Sequence, residues 1–504
     1  FAVIIDEAHS SQSGESAKHL KKVLSVNLEE AEAADRDDFD LEDEIIREIS
    51  YRGRQPHISY FAFTATPKGK TLELFGRKNA EGKFCAFHTY SMRQAIEENF
   101  ILDVLENYTT FKRYFKLAKT VEGDKKYEKK KALRMLMNYV DLHPHEIEMK
   151  SRIMLEHFLE KGANAIQGRG RAMVVTRSRL HAVRFFLTLK RLMAKQHLTI
   201  EPLVAFSGTV KDPDSGGEHT ETSLNGLPSS QIVTAFKMPQ FRIMVVANKF
   251  QTGFDEPLLH TMYVDKKLGG VNAVQTLSRL NRTMRGKTGT VVLDFVNDTD
   301  DIREAFQDYY QAIFLEEETD PDKLHDLEAD LEGYGLYTTA EVDAFADIFF
   351  RPSEPAEKYQ PLLDAVVERW RALPDDNTRE DFRSTLQSFV RLYGYISQII
   401  TYKDVSLEKL YVFARNLNRK LPKRQSPLPY EIRDAIDLES FRLQETASEY
   451  KITLEKTDGG TKGISIGTPQ HIEDEKDLLS NIIQTLNDTH GLDLTDDDKI
   501  DMGR

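Results

Sequence analysis

The chain has 504 residues, enough for roughly three domains at about 100–200 residues each. Its 82 acidic against 68 basic residues leave a net charge of −14, so any contact with nucleic acid must come from local basic stretches and not from the overall field. The lone cysteine, Cys85, excludes an intrachain disulfide framework and a cysteine-built zinc site and fits a reducing cytoplasm, and no run of about 18 apolar residues is present to span a membrane.

Phe1-Ala2-Val3-Ile4-Ile5 opens the chain as a continuous apolar run, the pattern of a strand buried on both faces of a parallel sheet. Such a strand needs flanking βα units and no initiator Met is present, so the expectation is a chain that starts inside a domain. Asp6-Glu7-Ala8-His9 follows directly. At the carboxyl end of a parallel strand both acids would face a ligand crevice. There Asp6 would hold Mg²⁺, through water, and Glu7 would orient the attacking water. The same four residues also read as a helix N-cap with a first-turn acid. Between residues 29 and 48, eleven acids stand against two arginines, the composition of a solvated loop running into an acidic helix.

A second strand over 58–63 ends on Thr64-Ala65-Thr66-Pro67. Its two threonine hydroxyls would link a nucleotide site to a nucleic-acid groove; the plainer reading is a β-turn closed by Pro67. A short strand is expected over 84–88. From 110 to 162 the chain reads as helical and lysine-rich, with Lys125-Lys126, Lys129-Lys130-Lys131 and Arg134 beside Tyr127. These basic residues would track a phosphate backbone or simply coat a solvated connector. His143 and His145 flank Pro144 without a third ligand near them and read as loop residues.

Strands over 172–175, 203–206, 243–246, 262–264 and 290–293 then alternate with amphipathic stretches, the signature of an α/β fold with a parallel sheet. In Val174-Val175-Thr176-Arg177-Ser178 and Phe206-Ser207-Gly208, strand-to-helix junctions offer Thr176, Arg177, Ser207 and Gly208 for phosphate contacts. Val245-Val246-Ala247-Asn248-Lys249-Phe250-Gln251-Thr252-Gly253-Phe254-Asp255-Glu256-Pro257 and Gln275-Thr276-Leu277-Ser278-Arg279-Leu280-Asn281-Arg282 are more specific. Arg279 and Arg282, at i and i+3 on a helix, would point the same way. Arginine so placed stabilises transferred phosphoryl charge, typically worth about 10³–10⁵ in rate. Arg282 is the expected finger and Arg279 its γ-phosphate partner; a solvated basic helix face is the plain alternative.

Beyond 296, helical periodicity takes over at 361–373, 380–400 and 406–417, and Gly459-Gly460-Thr461-Lys462-Gly463 reads as a flexible break before a last helix over 474–487. A phosphate-binding loop of the form G-x-x-x-x-G-K-[ST] is missing. Gly69-Lys70-Thr71 and Gly286-Lys287-Thr288 carry Thr64 and Asn281 where the leading glycine belongs, so both read as turns.

Taken in order, Asp6-Glu7-Ala8-His9, Thr64-Ala65-Thr66, the two strand junctions and the two long strings resemble motifs II to VI of superfamily 2 helicases. Longer strings resemble the R (restriction, motor) subunits of type I restriction enzymes: Asp6-Glu7-Ala8-His9-Ser10-Ser11-Gln12-Ser13-Gly14, then Phe87-His88-Thr89-Tyr90-Ser91-Met92-Arg93-Gln94-Ala95-Ile96-Glu97-Glu98, Ile101-Leu102-Asp103-Val104-Leu105 and Tyr263-Val264-Asp265-Lys266-Lys267-Leu268. The resemblance is close to about residue 296 and looser beyond it. It implies tandem RecA-like lobes of the P-loop NTPase type, the first truncated at 1–110. A helical basic connector (111–162), the second lobe (163–296), an all-α domain (297–458) and a tail with a short helix (459–504) would follow.

The resemblance also implies an activity: ATP- and Mg²⁺-dependent translocation of double-stranded DNA, beside methyltransferase and specificity subunits, before cleavage by a nuclease domain preceding the motor. No membrane is involved. Asp6, Glu7, Arg279 and Arg282 would then act on ATP, with His9, Thr64, Thr66, Asp255 and Gln275 in the nucleotide site and its coupling. Thr176, Arg177, Ser207, Gly208, Thr252 and Gly253 would meet DNA. Without the phosphate-binding loop, these 504 residues alone are expected to be inactive.

Overall fold

The computed structural model describes residues 2–6, 58–120, 124–250, 254–311, 313–317, 319–351, 355–399, 404–422, 436–455, 457, 459–462, 476–491, 494–495 and 498–500. Glu7, His9, Thr252, Gly253 and the acidic stretch 29–48 lie outside them. The chain divides into two compact units, one made of 1–89, 312–425 and 458–473, the other of 90–311, 426–457 and 474–504.

In the first unit, β1 (Ala2–Ile5) lies parallel to β2 (Ser59–Ala62), with Ala2 opposite Ser59 and Ile5 opposite Ala62. Helix α1 (Gly69–Phe75) follows β2. The helical periodicity read beyond 296 is present as five helices, Lys323–Gly333, Thr339–Phe349, Gln360–Arg371, Asp376–Ile399 and Val405–Lys420. Their apolar faces share one core that includes Leu327, Phe345, Leu386, Phe389 and Phe413. Thr338 and Glu341 form a capping box that starts the second of these helices. Two polar groups are buried with partners: the Tyr393 hydroxyl donates to Glu408 at 2.8 Å, and Glu73 of α1 accepts from the Thr319 amide at 2.6 Å and from the Tyr395 hydroxyl. Gly459–Lys462, expected as a flexible break, instead pairs in parallel with the strand Ile313–Glu317.

The second unit is built on a seven-stranded sheet. In chain order its strands are β3 (Tyr108–Lys119), β4 (Arg171–Thr176), β5 (Glu201–Ala205), β6 (Phe241–Ala247), β7 (Leu259–Asp265), β8 (Val291–Asp294) and β9 (Ile436–Tyr450). Their spatial order is β9-β3-β8-β7-β4-β6-β5. Every pairing from β3 to β5 is parallel, and β9 closes the β3 edge antiparallel. All six residues of β4 are buried, as a strand covered on both faces requires.

Two expectations fail here. The connector expected to be helical begins as β3, because Phe115 and Leu117 alternate with exposed Lys112 and Lys116; that period of two outweighs the lysine content. The expected all-α stretch contains β9, whose core-facing residues Ile436 and Leu438 change parity to Phe441 across a bulge between Leu438 and Ser440. Helices α2 (Lys129–Leu142) and Leu479–His490 cover this extension, meeting Phe115 and Leu117 through Leu136, Val140, Ile482 and Leu486. The Asn487 amide both donates to and accepts from the backbone of Leu117, each at 2.8 Å.

Candidate functional site

In an open parallel sheet, ligands meet the carboxyl ends of the strands. In the first unit, Asp6 follows β1 and is exposed, while Thr64 follows the adjacent β2, whose register is extended by the Phe63 amide donating to the Ile5 carbonyl at 2.8 Å. The Thr64 hydroxyl accepts from the Thr66 amide at 3.1 Å, a side-chain-closed turn, and Thr66 itself is buried. The exposed Asp6 carboxylate at this strand end is a ligand of the kind that Mg²⁺ takes, since that ion usually keeps most of its water and binds one or two protein carboxylates. Among the described residues there is no cluster of His, Cys, Asp or Glu that would hold a metal by itself.

In the second unit the sheet changes direction between β4 and β7, and the polar residues after these strands meet. Thr176 is fully buried and its hydroxyl shares its one proton between the carbonyls of Val246 at 3.0 Å and Ser178 at 3.1 Å. A hydroxyl so committed has no face left for a phosphate, which corrects the sequence reading at this position. Arg177 is also turned inward: it pairs with Asp141 of α2 and lies 3.8 Å from Asp265 at the end of β7. Asp141 takes Arg113 of β3 on its other oxygen. Lys150, on α3 (Pro144–His157), is fully buried between Glu146 at 2.5 Å and Asp265 at 2.6 Å. Burial opposes its charge, but Asp265 and Glu146 hold the ammonium above the ordinary lysine range. His181 beside this network is pushed down to about 4, chiefly by burial.

The exposed cation of the loop after β4 is Arg179, two residues beyond the one expected. It starts α4 (Arg179–Lys195), capped by Ser178, and its guanidinium donates to the Ser207 carbonyl at 2.9 Å. Ser207 and Gly208 are exposed, and Gly208 has φ +78° with Arg179 at 3.1 Å from where a Cβ would stand. After β6, Asn248 and Phe250 both adopt positive φ, 57° and 63°, the strained conformation that clusters at working loops. Between them Lys249 is held by Glu221 at 2.7 Å, and Glu221 also accepts from the Phe206 amide at 2.7 Å. One buried carboxylate therefore ties the loops after β5 and β6. Glu221 carries no pattern that singles it out in sequence, although its partner Lys249 lies inside the string 245–257.

The string through Asp255 meets the string through Arg282. Arg282 pairs with Asp255 at 3.1 Å while both stay open to solvent, their side chains 48% and 69% exposed. Arg279 donates to the carbonyls of Phe254 at 3.1 Å and Gln275 at 3.2 Å, which fixes its plane. The two arginines do not share a helix as expected. Helix α5 (Gly270–Leu277) ends before them, Arg279, Leu280 and Asn281 bond back three residues, and the Asn281 carbonyl accepts from Leu102 at 2.8 Å. Competition from that neighbouring backbone ends the helix, and a bridge between Ile101 and Arg282 continues the contact.

Comparison with known proteins follows the same residues. Residues 227–297, which hold β6, β7, α5 and both long strings, match the family model described as type I restriction enzyme subunit R domain 3. A putative type I restriction enzyme MjaIXP endonuclease subunit from Methanocaldococcus jannaschii is 23% identical over 411 residues, covering 78% of this chain and 34% of the relative. The type I restriction enzyme SauCOLORF180P endonuclease subunit of Staphylococcus aureus is 27% identical over 289 residues, covering 49% of this chain and 29% of the relative. The chain thus spans about a third of the length of these relatives. Among solved structures, a fragment of a putative HsdR subunit of a type I restriction enzyme from Vibrio vulnificus aligns with TM-score 0.30 at 15% identity, over 49% of this chain and 41% of that one. Among the described residues no helix is long and apolar enough to cross a membrane.

Proposed function

Because this chain belongs to the family of type I restriction enzyme R subunits, we propose that it forms motor lobes that couple ATP hydrolysis to translocation of double-stranded DNA. The observation that carries the reading is the exposed pairing of Asp255 with Arg282, next to an Arg279 fixed on the Phe254 carbonyl. It leaves one guanidinium oriented and the other solvent-facing on a carboxylate that a phosphate would displace. Residues 1–110 and 163–296 are read as tandem RecA-like lobes, the first truncated. In the first unit Asp6 would hold Mg²⁺, which when bound neutralises phosphate charge, with Thr64 and Thr66 serving nucleotide use; in the second, Arg279 and Arg282 would stabilise a transferred phosphoryl group, with Asp255 and Gln275 supporting them. Exposed Ser207 and Gly208, with Arg179 and Lys249 behind them, would lie along the DNA backbone. Methyltransferase and specificity subunits are the expected partners, and a nuclease domain elsewhere in the complex the cutting element.

The test joins these residues to a phosphate-binding loop and measures triplex displacement from duplex DNA beside strand separation. Displacement without separation is expected, and Arg282→Ala should lower ATP turnover by about 10³-fold or more. Strand separation without displacement would sink the translocase reading. A second reading, of a DNA-binding module without turnover, is favoured for the 504 residues by themselves, because no G-x-x-x-x-G-K-[ST] string occurs in them.

A further inference from the structure

The triplet Gly286-Lys287-Thr288 has no place in the nucleotide reading, yet its lysine is buried. Gly286 has φ +86°, a conformation that glycine adopts without strain, and the turn brings Lys287 back beneath the arginine loop. The Lys287 side chain is buried, with Lys287 6% exposed, and its three N–H donors are divided among four backbone carbonyls: Leu259 at 2.7 Å, Leu280 at 2.7 Å, Arg282 at 2.9 Å and Pro257 at 3.3 Å. Among the described residues it makes no ion pair; the nearby Glu256 is committed to Arg171 at 3.0 Å. Two of the four carbonyls belong to the segment just after Asp255 and two to the segment of Arg279 and Arg282.

We propose that Lys287 is a positioning residue whose single ammonium locks the Asp255 segment to the arginine segment. The loop gains from such a lock, because α5 has ended: Arg279, Leu280 and Asn281 bond back only to the third residue before them, and the segment is otherwise held by the Arg279 side chain and by the backbone at Ile101 and Leu102. A compact ammonium with rotatable donors can divide itself among carbonyls converging from several sides; a planar guanidinium cannot. Burial, with Arg282 adding and Glu256 opposing, pushes the ammonium down to about 8, so it stays largely charged at neutral pH. The consequence for phosphoryl transfer rests on the reading of Arg282 given above; the lock itself does not.

The experiment is hydrogen exchange by mass spectrometry on the 504-residue chain without nucleotide, comparing wild type, Lys287→Met and Lys287→Ala. Both segments, 256–263 and 278–285, should exchange at least tenfold faster in the variants, while 171–176 and 241–247 stay within about twofold. Propylammonium, which replaces the carbons and charge that Lys287→Ala removes, should restore protection in both segments, and propanol should not. Acceleration in one segment only, an equal rise across the sheet, or rescue by propanol overturns the proposal. Should the variants fail to fold, the ¹⁵N-lysine spectrum of the wild-type chain decides: a slowly exchanging ammonium signal that Lys287→Arg removes supports the lock, and its absence overturns it. If the exchange results hold while Arg282→Ala leaves ATP-coupled translocation intact, the arginine reading fails and the lock stands. Unmoved exchange alongside a dead Arg282→Ala variant gives the reverse.

Discussion

Replacing Lys150 with Met deletes one ammonium from the interior of the second unit and nearly nothing else. The two carboxylates it leaves, Glu146 at 2.5 Å and Asp265 at 2.6 Å, are as buried as the lysine itself. At an effective dielectric of about 20, each contact carries roughly 6 kcal/mol of attraction. Desolvation costs several kcal/mol per ion, so the intact network sits near break-even, but one-sided removal of a buried partner costs about 3–5 kcal/mol. Arg113 stays 3.0 Å from Glu146 and Arg177 stays 3.8 Å from Asp265, which puts the expectation near 3 kcal/mol, or roughly a hundredfold in the opening equilibrium. The network is charge-balanced, with Arg113, Lys150 and Arg177 against Asp141, Glu146 and Asp265. Lys150→Met/Glu146→Gln restores that balance and should recover most of the loss. Because the folded-state value of Lys150 is raised, its contribution is whole below the ordinary lysine value of 10.5 and is lost only as pH climbs past it, so neutral pH is a fair condition. Hydrogen exchange of β4 and β7 amides reads the opening equilibrium directly. A change under threefold in Lys150→Met, or a double variant no better than the single, would refute the electrostatic reasoning.

Acid should weaken the second unit before it reaches the carboxylate range. His181 is held near 4 by burial against an unfolded value of 6.5, so its contribution is whole above pH 6.5 and is lost as pH falls toward 4, up to about 3 kcal/mol. His157 and His260, also pushed down to about 4 by burial, act in the same sense. Asp294, raised to about 6 by burial, acts in the opposite sense between 3.8 and 6 and offsets part of the loss. Urea midpoints measured from pH 7 to 4.5 should fall, and His181→Gln should flatten the curve; identical slopes would remove His181 from the account. Asn487→Leu strips the Leu117 amide and carbonyl of their partner, at about 1–3 kcal/mol for the stranded groups, and should speed exchange at Leu117. Unchanged protection there would mean that the last helix does not hold β3.

Where one physical signal dominated, the sequence was readable. The strands from β4 to β8 are short apolar runs between turn residues, and the helices of the first unit repeat apolar positions at helical spacing; both appear within a few residues of where periodicity puts them. β3 was hidden by its lysines, although its alternation was present. β9 was hidden more deeply, because a bulge breaks the alternation that would reveal it and its pairing partner lies some three hundred residues away. Side-chain direction was the least legible feature of the candidate site. Thr176 and Arg177 have the right chemistry for phosphate, but the first ends a strand buried on both faces and bonds to the Val246 carbonyl, and the second is claimed by Asp141, an acid on a helix that no local pattern links to it. The i and i+3 spacing of Arg279 and Arg282 likewise presumed a helix that a neighbouring backbone terminates.

In each case a contact distant in sequence decided what a locally sound motif does. The same holds in the other direction for Lys287. Its triplet lacks the glycine five residues earlier that a phosphate-binding loop requires. Its work is defined by four carbonyls that no string displays. Motif spacing therefore marks loops by their chemistry, while the buried partners Glu221, Asp265, Lys150 and Lys287 determine how those loops are held.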